Sequence, residues 1–458
     1  MRIQDIKNIY FLGIGGIGMS ALARYFNASG KMVAGYDRTS TPLTDELIDE
    51  GIQVHFSDSV KLIPEFIKSG NKHQTLVIYT PAIPKDQLEL AYFQEKEFEL
   101  KKRSEVLGML TKDKFTIAVA GTHGKTTTSS MIAHLLKSAG LNCSAFLGGI
   151  SKNYQSNLLL AKNPGQNEIV VVEADEYDRS FLTLFPDVAV ITSMDADHLD
   201  IYGDKKYLED SYRLFAKQVK PNGKLVFKKG LPLDTTESGR SMYAIDEQAD
   251  YSADDIRILD HHYHFNWHNH SSTITGITSG MPGRHNVENS VAAIAVARMM
   301  NIPDDAIRKA FASYQGVRRR FDYRVRSKEI VYIDDYAHHP EELRACIASV
   351  KELYPGKKIT GVFQPHLFSR TRDFAEGFGK SLSMLDRLLL LDIYPARELP
   401  IPGVDSKMIL DLVTIKDKKI CSKAEVLDEL SKNKPEVLLT LGAGDIDQLV
   451  EPIAKLYK

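Results

Sequence analysis

The stretch Ala118-Val-Ala-Gly-Thr-His-Gly-Lys-Thr-Thr-Thr-Ser-Ser130 decides how this chain folds. The apolar run Phe115–Ala120 predicts a buried strand, Gly121-Thr122-His123-Gly124 a turn, and Lys125-Thr126 the first residues of a helix. Met131, Ile132, Leu135, Leu136 and Ala139 trace one face of that helix, and Gly140 is its stop. A strand that turns through glycines into a helix N-terminus aims backbone N–H groups and partial positive charge at one point, which suits a polyphosphate. At this spacing Lys125 reaches the terminal phosphates and the Thr126 hydroxyl takes a place on Mg2+. The stretch departs from the usual phosphate loop at Val119, which stands where that pattern has its first glycine. An ordinary glycine turn between strand and helix is the competing reading.

Toward the N-terminus the plan recurs. Ile9–Leu12 reads as a strand, followed by Gly13-Ile14-Gly15-Gly16-Ile17-Gly18 and a helix with apolar residues at Met19, Leu22, Ala23 and Phe26. A second strand, Val33–Tyr36, ends at Asp37, at the distance where an acid meets a ribose hydroxyl. This predicts a nucleotide-diphosphate site on a parallel sheet and leaves a nicotinamide dinucleotide and a UDP-sugar both open. The glycines also serve if they only let helix and strand pack closely. Val77–Tyr79 is a further strand, and the prolines of Thr80-Pro-Ala-Ile-Pro84 keep the next stretch out of a helix. The charged run Glu95–Arg103 is expected to be a solvated helix face, with a domain boundary near residue 104.

Toward the C-terminus, the apolar run Ile169–Val172 predicts a central parallel strand ending in Glu173-Ala-Asp-Glu-Tyr-Asp178. Val188–Ile191 repeats the plan and ends in Asp195-Ala-Asp-His-Leu-Asp200. Ligands of open α/β sheets lie beyond the carboxyl ends of the strands, so both acidic clusters are expected at the crevice of the phosphate loop. Glu173 and His198 are the metal-ligand candidates; Asp195 and Asp197 also suit helix capping. Between residues 255 and 270, five histidines tempt a metal assignment. However, His262, His264, His268 and His270 alternate with Tyr263, Phe265, Trp267 and Asn269, which predicts a hairpin strand with one polar face and a turn near Asp260. Pro282-Gly-Arg-His-Asn-Val-Glu-Asn289 precedes the apolar helix Val291–Met299; Asn286 and Asn289 offer amides to a purine edge, or Asn286 caps the helix.

Gly316-Val-Arg-Arg-Arg-Phe321 marks the next boundary, its arginines either solvated or reaching into a polyphosphate cleft. Beyond it Ile330–Ile333, Thr360–Gln364, Leu388–Leu391 and Val437–Thr440 read as strands, each followed by polar residues, which predicts a second nucleotide-binding-like sheet. At 458 residues the chain has room for two or three domains. Its net charge of −2 provides no basic field for nucleic acid or an anionic membrane, so its basic residues act locally. Cys143, Cys346 and Cys421 lack disulfide or metal spacing, which fits a reduced compartment. No apolar run approaches the ~20 residues that a membrane helix needs, and no signal peptide is expected at the N-terminus.

Taken in order over the whole chain, Gly13–Gly18, GTHGKTTT, EADEYD, DHLD, GRHNVEN, RRRF, DDYAHHP, FQPHLFSRT and LGAGD resemble the Mur ligases. The resemblance implies an α/β chain of three domains. Residues 1–104 form a Rossmann-like parallel sheet for a UDP-sugar. Residues 105–321 form a phosphate-loop ATPase-type α/β domain for ATP and Mg2+, with a small antiparallel hairpin region. Residues 322–458 form a Rossmann-like α/β domain that closes over ATP and binds an amino acid. It implies ATP on Gly121, Thr122, His123, Gly124, Lys125, Thr126 and Thr127, with Asn286 and Asn289 by the adenine and Arg320 and Asp335 completing the site. Thr126, Glu173 and His198 would hold magnesium, and Lys125, His198, Arg320 and His338 would be catalytic. Gly13, Gly15, Gly16, Gly18, Asp37 and Thr80 would meet the UDP-sugar, with His366, Arg370 and Arg372 facing the sugar and the incoming amino acid. The activity implied is ATP-dependent joining of L-alanine to the lactyl carboxylate of UDP-N-acetylmuramate through an acyl phosphate, in peptidoglycan precursor synthesis. The implied protein is a cytoplasmic monomer or homodimer with small-molecule substrates. Within the family, addition of a ready-made tripeptide to the same sugar is the alternative; outside it, a nicotinamide dehydrogenase or a nucleotide-gated binding protein.

Overall fold

The computed structural model describes residues 2–84, 86–195, 204–396 and 398–458. They form two compact units: Met1–Ala253 with Trp267–Ile274 and Asn289–Ser313, and Asp254–Asn266 with Thr275–Glu288 and Tyr314–Lys458.

In the first unit, β1 (Asn8–Leu12), β2 (Met32–Tyr36), β3 (Gln53–His55), β4 (Thr75–Tyr79) and β5 (Glu99–Lys102) form a sheet in the order β3-β2-β1-β4-β5. Every neighbouring pair is parallel. Strand order reverses at β1, so the glycine turn after β1 sits at the switch point where such sheets bind ligands. The charged run Glu95–Arg103 corrects the expectation of a helix face. Helix Leu88–Glu95 stops at its start, Glu97 turns with φ +54°, and Glu99–Lys102 is the edge strand β5. Charged side chains on a sheet edge discourage pairing with another chain, and they imitate a solvated helix in sequence.

The second sheet contains β6 (Phe115–Ala120), β7 (Cys143–Ser151), β8 (Ser156–Leu159), β9 (Ile169–Glu173), β10 (Val188–Ile191), β11 (Lys224–Lys228) and β12 (Arg240–Ile245), running β12-β11-β10-β6-β9-β7-β8. Only the β7–β8 pair in that run is antiparallel. The central strands β6, β9 and β10 are buried along nearly their whole length, which is why they read as unbroken apolar runs.

The two sheets of this unit share one core. Phe11, Leu22 and Phe26 are buried in the same cluster as Phe146, Leu158 and Val172, each such side chain contributing about 1.5–3 kcal/mol by burial. Helix Ile17–Ala28 is clasped to the β7–β8 hairpin: Arg24 donates to Asn157 Oδ1 (2.6 Å) and Asn157 donates to the Ile17 carbonyl (2.6 Å). The helix that leaves the first glycine turn is thus fixed against the sheet that carries the second.

Beyond these strands, β13 (Tyr251–Leu259) and β14 (His262–Asn269) are joined through Asp260 and His261, both left-handed (φ +50° and +60°), the geometry that two-residue hairpin turns favour. Tyr263, Phe265 and Trp267 are buried and His262 is exposed, as the alternation predicts. β15 (Thr273–Thr278) follows.

The second unit holds β16 (Asp322–Arg326), β17 (Val331–Asp335), β18 (Ile359–Phe363), β19 (Arg387–Leu390), β20 (Asp417–Ile420) and β21 (Val437–Leu441) in the order β16-β17-β21-β18-β19-β20. Five strands are parallel and β16 is antiparallel at one edge. The two edge strands β16 and β20 are the additions to the four read from sequence.

Candidate active site

The phosphate loop is built as its sequence requires. Gly121 (φ +136°) and Gly124 (φ +83°) hold conformations that side chains resist. A Cβ on Gly121 would fall 2.1 Å from Thr192 Oγ1, and one on Gly124 2.7 Å from Asn289 Oδ1. Residues after β10 buttress the loop: the His123 amide donates to Ser193 Oγ (2.7 Å) and Thr122 Oγ1 to the Asp195 carbonyl (2.8 Å). Helix Lys125–Ser138 begins with Gly124 at its N-cap, so no side chain caps it and its first amides point into the loop. A bare helix N-terminus behind two glycines fits phosphate oxygens.

Lys125 does not extend from this loop. Its ammonium lies 2.7 Å from Glu176 Oε2, 2.9 Å from Glu176 Oε1 and 2.7 Å from the Gly121 carbonyl. Burial works to lower its pKa, but Glu176, Glu173 and Asp175 outweigh that and raise it. The lysine therefore stays charged, held across the loop by the buried Glu176, whose own carboxyl burial pushes up to about 7 against the pull of Lys125. Glu173 ends β9 with its Oε2 accepting the Gly148 amide (3.1 Å), and a Cβ at Gly148 would collide with that carboxylate at 2.2 Å. Thr126, buried in the first turn of the helix, and Glu173 are hard oxygen donors of the kind that suits Mg2+. His198 lies outside the described residues.

The first glycine turn is equally constrained. Gly13 (φ +86°) and Ile14 donate their amides to the Tyr36 carbonyl (2.8 and 3.0 Å), and Gly13 packs against Thr80 and Ile83. Asp37 accepts the Gly15 amide (2.8 Å) and the Thr39 amide (3.1 Å), so the acid expected to meet a ribose already fastens the turn. Gly18 lies against Arg103, whose guanidinium would be 2.3 Å from a Cβ placed there; Arg103 in turn pairs with Asp175 (3.1 Å). A cleft is lined by Gly18, Leu22, Arg103, Gly148, Glu173 and Asp175. One cavity thus joins the helix that follows the first turn to the candidate metal carboxylate beside the second.

In the second unit the three arginines at the boundary separate. Arg319, left-handed at φ +60°, turns inward and donates to Asp334 Oδ2 (3.2 Å) and the Gly442 carbonyl (2.7 Å). Arg320 lies over the Tyr336 ring (5.0 Å) and 3.8 Å from Glu342. Asp335 accepts the amides of Phe321 (2.6 Å) and Ala337 (2.8 Å); burial lifts its carboxyl to about 6 against the pull of Arg320. The His338 and His366 rings stand 6.0 Å apart, and Arg370 is buried with a guanidinium nitrogen 3.4 Å from His366 Nδ1. Arg372 is not brought into this group: it is half-exposed and bonds its neighbour Asp373 (2.7 Å). Asn286 is not a cap, because its helix starts at Arg284; it donates to the Pro282 carbonyl (2.6 Å). Asn289, one turn further, places its amide oxygen beside Gly124.

Glu176, Arg103, Gly148 and Arg319 are the residues that sequence reasoning did not single out. Glu176 and Arg319 lay within recognised clusters, but their neighbours carried the same chemistry. Arg103 lay in a charged run read as solvated.

Residues 8–115 match the catalytic domain of the Mur ligase family, 119–297 the Mur ligase middle domain and 319–445 the Mur ligase glutamate ligase domain. The chain is 51% identical over 456 residues to the UDP-N-acetylmuramate--L-alanine ligase of Flavobacterium johnsoniae, covering 100% of this chain and 99% of that one. It is 52% identical over 453 residues to the enzyme of the same name from Porphyromonas gingivalis, covering 98% of each. Among solved structures, the UDP-N-acetylmuramate-alanine ligase of Thermotoga maritima superposes with a TM-score of 0.82 at 27% identity, over 98% of this chain and 99% of that one. A murein peptide ligase from Psychrobacter arcticus shares the fold at a TM-score of 0.69 and 19% identity, over 98% of each. With three successive domains matched and half the residues identical end to end, the chain belongs to the Mur ligase family.

Proposed function

We propose that this protein joins L-alanine to the lactyl carboxylate of UDP-N-acetylmuramate at the expense of ATP, in peptidoglycan precursor synthesis in the cytoplasm. The observation that carries the reading is the full-length identity of about half to relatives of that one activity. The cleft that Gly18 and Glu173 both line supports it. In this reading residues 1–104 hold the UDP-sugar, 105–321 hold ATP, and 322–458 close over ATP and bring the alanine.

A carboxylate is a poor electrophile, and phosphorylation gives it a leaving group that the alanine amine can displace. Such transfer needs positioning and charge neutralisation rather than covalent help. The loop Gly121–Gly124 and the helix-start amides of Lys125, Thr126 and Thr127 cradle the phosphates, Lys125 neutralises their developing charge, and Arg320 and Asp335 complete the site. Asn286 and Asn289 meet the adenine. Thr126, Glu173 and His198 are the residues that would hold Mg2+, which screens phosphate charge when bound. Gly13, Gly15, Gly16, Gly18, Asp37 and Thr80 hold the UDP-sugar. His366 and Arg370 face the sugar and the amino acid. His198 is the candidate to take the proton that the amine must lose, and His338 is a further catalytic candidate. Closure keeps water from the activated acid.

ADP release measured against a panel of amino acids tests this. We expect ADP only when UDP-N-acetylmuramate and an amino acid are both present, with free L-alanine preferred over a tripeptide. Preference for the tripeptide would mean a murein peptide ligase. Binding of NADH with no ADP formed would mean a dehydrogenase.

A further inference from the structure

Beneath the first glycine turn lies a buried polar cluster that the ligation chemistry does not use. Tyr10 of β1 places its Oη 2.7 Å from Glu89 Oε2 and 2.7 Å from Nε2 of His55, the last residue of β3. Tyr10 and Glu89 are fully buried. His55 Nδ1 lies 3.0 Å from the Ser57 carbonyl, which only accepts, so Nδ1 carries the hydrogen and Nε2 of the neutral ring is a lone pair.

The phenol has one hydrogen for two acceptors. With Glu89 ionised, Tyr10 donates to the carboxylate, and the His55 Nε2 lone pair is left facing Glu89 Oε1 at 3.4 Å. With one more proton on Glu89, both contacts close: Glu89 donates to Tyr10, and Tyr10 donates to His55. Burial pushes the Glu89 carboxyl up to about 7 and His55 down, so the carboxyl keeps that proton. The other groups facing the cluster leave this arrangement standing. Ser59 donates its amide to Glu89 Oε1 (3.0 Å), and Asp58 accepts the amides of Leu88 and Glu89 (2.8 and 3.1 Å). Tyr36 brings its ring 5.7 Å from that of His55, and Asp58, Glu89, Asp37 and Arg38 are the charges that act on it.

The cluster is wired to the turn. The His55 carbonyl accepts the Asp37 amide (3.1 Å), Asp37 Oδ2 accepts the Gly15 amide (2.8 Å), and the Tyr36 carbonyl accepts those of Gly13 and Ile14. We infer that Glu89 is a positioning residue for the UDP-sugar: with Tyr10 and His55 it holds one shared proton that fixes the end of β3 and, through Asp37, the amides of the glycine turn. This rests on the reading that the turn holds the UDP-sugar diphosphate.

The test is the KM for UDP-N-acetylmuramate between pH 6 and 8.5, beside kcat and the KM for ATP, in the full chain. Below about pH 7 the proton is present; as pH rises through that value it is lost. The KM for the UDP-sugar is expected to rise about fivefold, as for one lost hydrogen bond, with kcat and the KM for ATP unmoved by this step. Glu89→Gln carries a permanent N–H donor toward Tyr10 and is expected to abolish the rise, whereas Tyr10→Phe raises that KM at every pH. Glu89→Gln following the same pH profile as the unaltered protein would overturn the inference. So would His55 ring 15N signals that do not move over this range while the UDP-sugar still binds. A chain that binds no UDP-sugar at any pH overturns the functional reading beneath it, and the inference with it.

Discussion

Lys125→Ala is expected to lower the rate of ADP release by about 10³-fold, the scale on which removing a preorganised charge or donor at a reacting group acts. It is also expected to destabilise the first unit, which a freely extended lysine would not do. The ammonium is buried between Glu176 and the Gly121 carbonyl, and truncation strands the Glu176 carboxylate in the interior at a cost of about 3 kcal/mol. The variant escapes part of that cost by protonating Glu176. A carboxyl whose pKa is higher folded than unfolded stabilises the fold at low pH and loses that contribution as pH rises through its folded value. The deficit should therefore be larger at pH 8 than at pH 5.5, and Lys125→Ala combined with Glu176→Gln should recover stability without recovering turnover. Thermal unfolding at the two pH values, beside ADP release, checks both parts. Retained turnover would remove Lys125 from the phosphate site.

Arg319→Ala carries the second large effect. Asp334 is fully buried, and Arg319 is its counter-ion at 3.2 Å, with Thr440 donating to its other oxygen (2.7 Å). The same guanidinium holds the Gly442 carbonyl and lies 5.3 Å from the Tyr336 ring centre. Removing it leaves a buried carboxylate without its cation, and the second unit is expected to lose about 3 kcal/mol. Asp334→Asn added to it should return part of the loss, because the charge then goes with its partner. Urea unfolding followed through hydrogen exchange of β17 and β21 measures this. A loss under about 0.5 kcal/mol, the size of a surface ion pair, would mean that Arg319 is no more than a solvated arginine.

These two residues also mark how far the sequence could be read. Strands β1, β6, β9 and β10 were legible within a residue or so, because strands covered on both faces are continuous apolar runs. Glu99–Lys102, Asp322–Arg326 and Asp417–Ile420 were not, because edge strands carry the charges that loops and helix faces carry too. Both glycine turns could be placed, since the backbone conformation they need restricts the residue type. What their side chains touch could not. Three adjacent arginines look alike until the left-handed backbone at Arg319 turns that one inward and leaves Arg320 over Tyr336. Arg370 and Arg372, two positions apart on the short helix Phe368–Asp373, point to different sides. Asp37 stood where a ribose acid belongs, and only the fold reveals that it fastens the Gly15 amide.

In the proposed function, one nucleotide energises an acid carried by the other. The most direct measurement uses UDP-N-acetylmuramate labelled with 18O in its lactyl carboxylate, followed by mass analysis of the phosphate released during ligation to L-alanine. Transfer of one 18O from sugar to phosphate is predicted, because the carboxylate oxygen bonds the transferred phosphoryl group and leaves with it. Unlabelled phosphate accompanying full ligation would contradict the account.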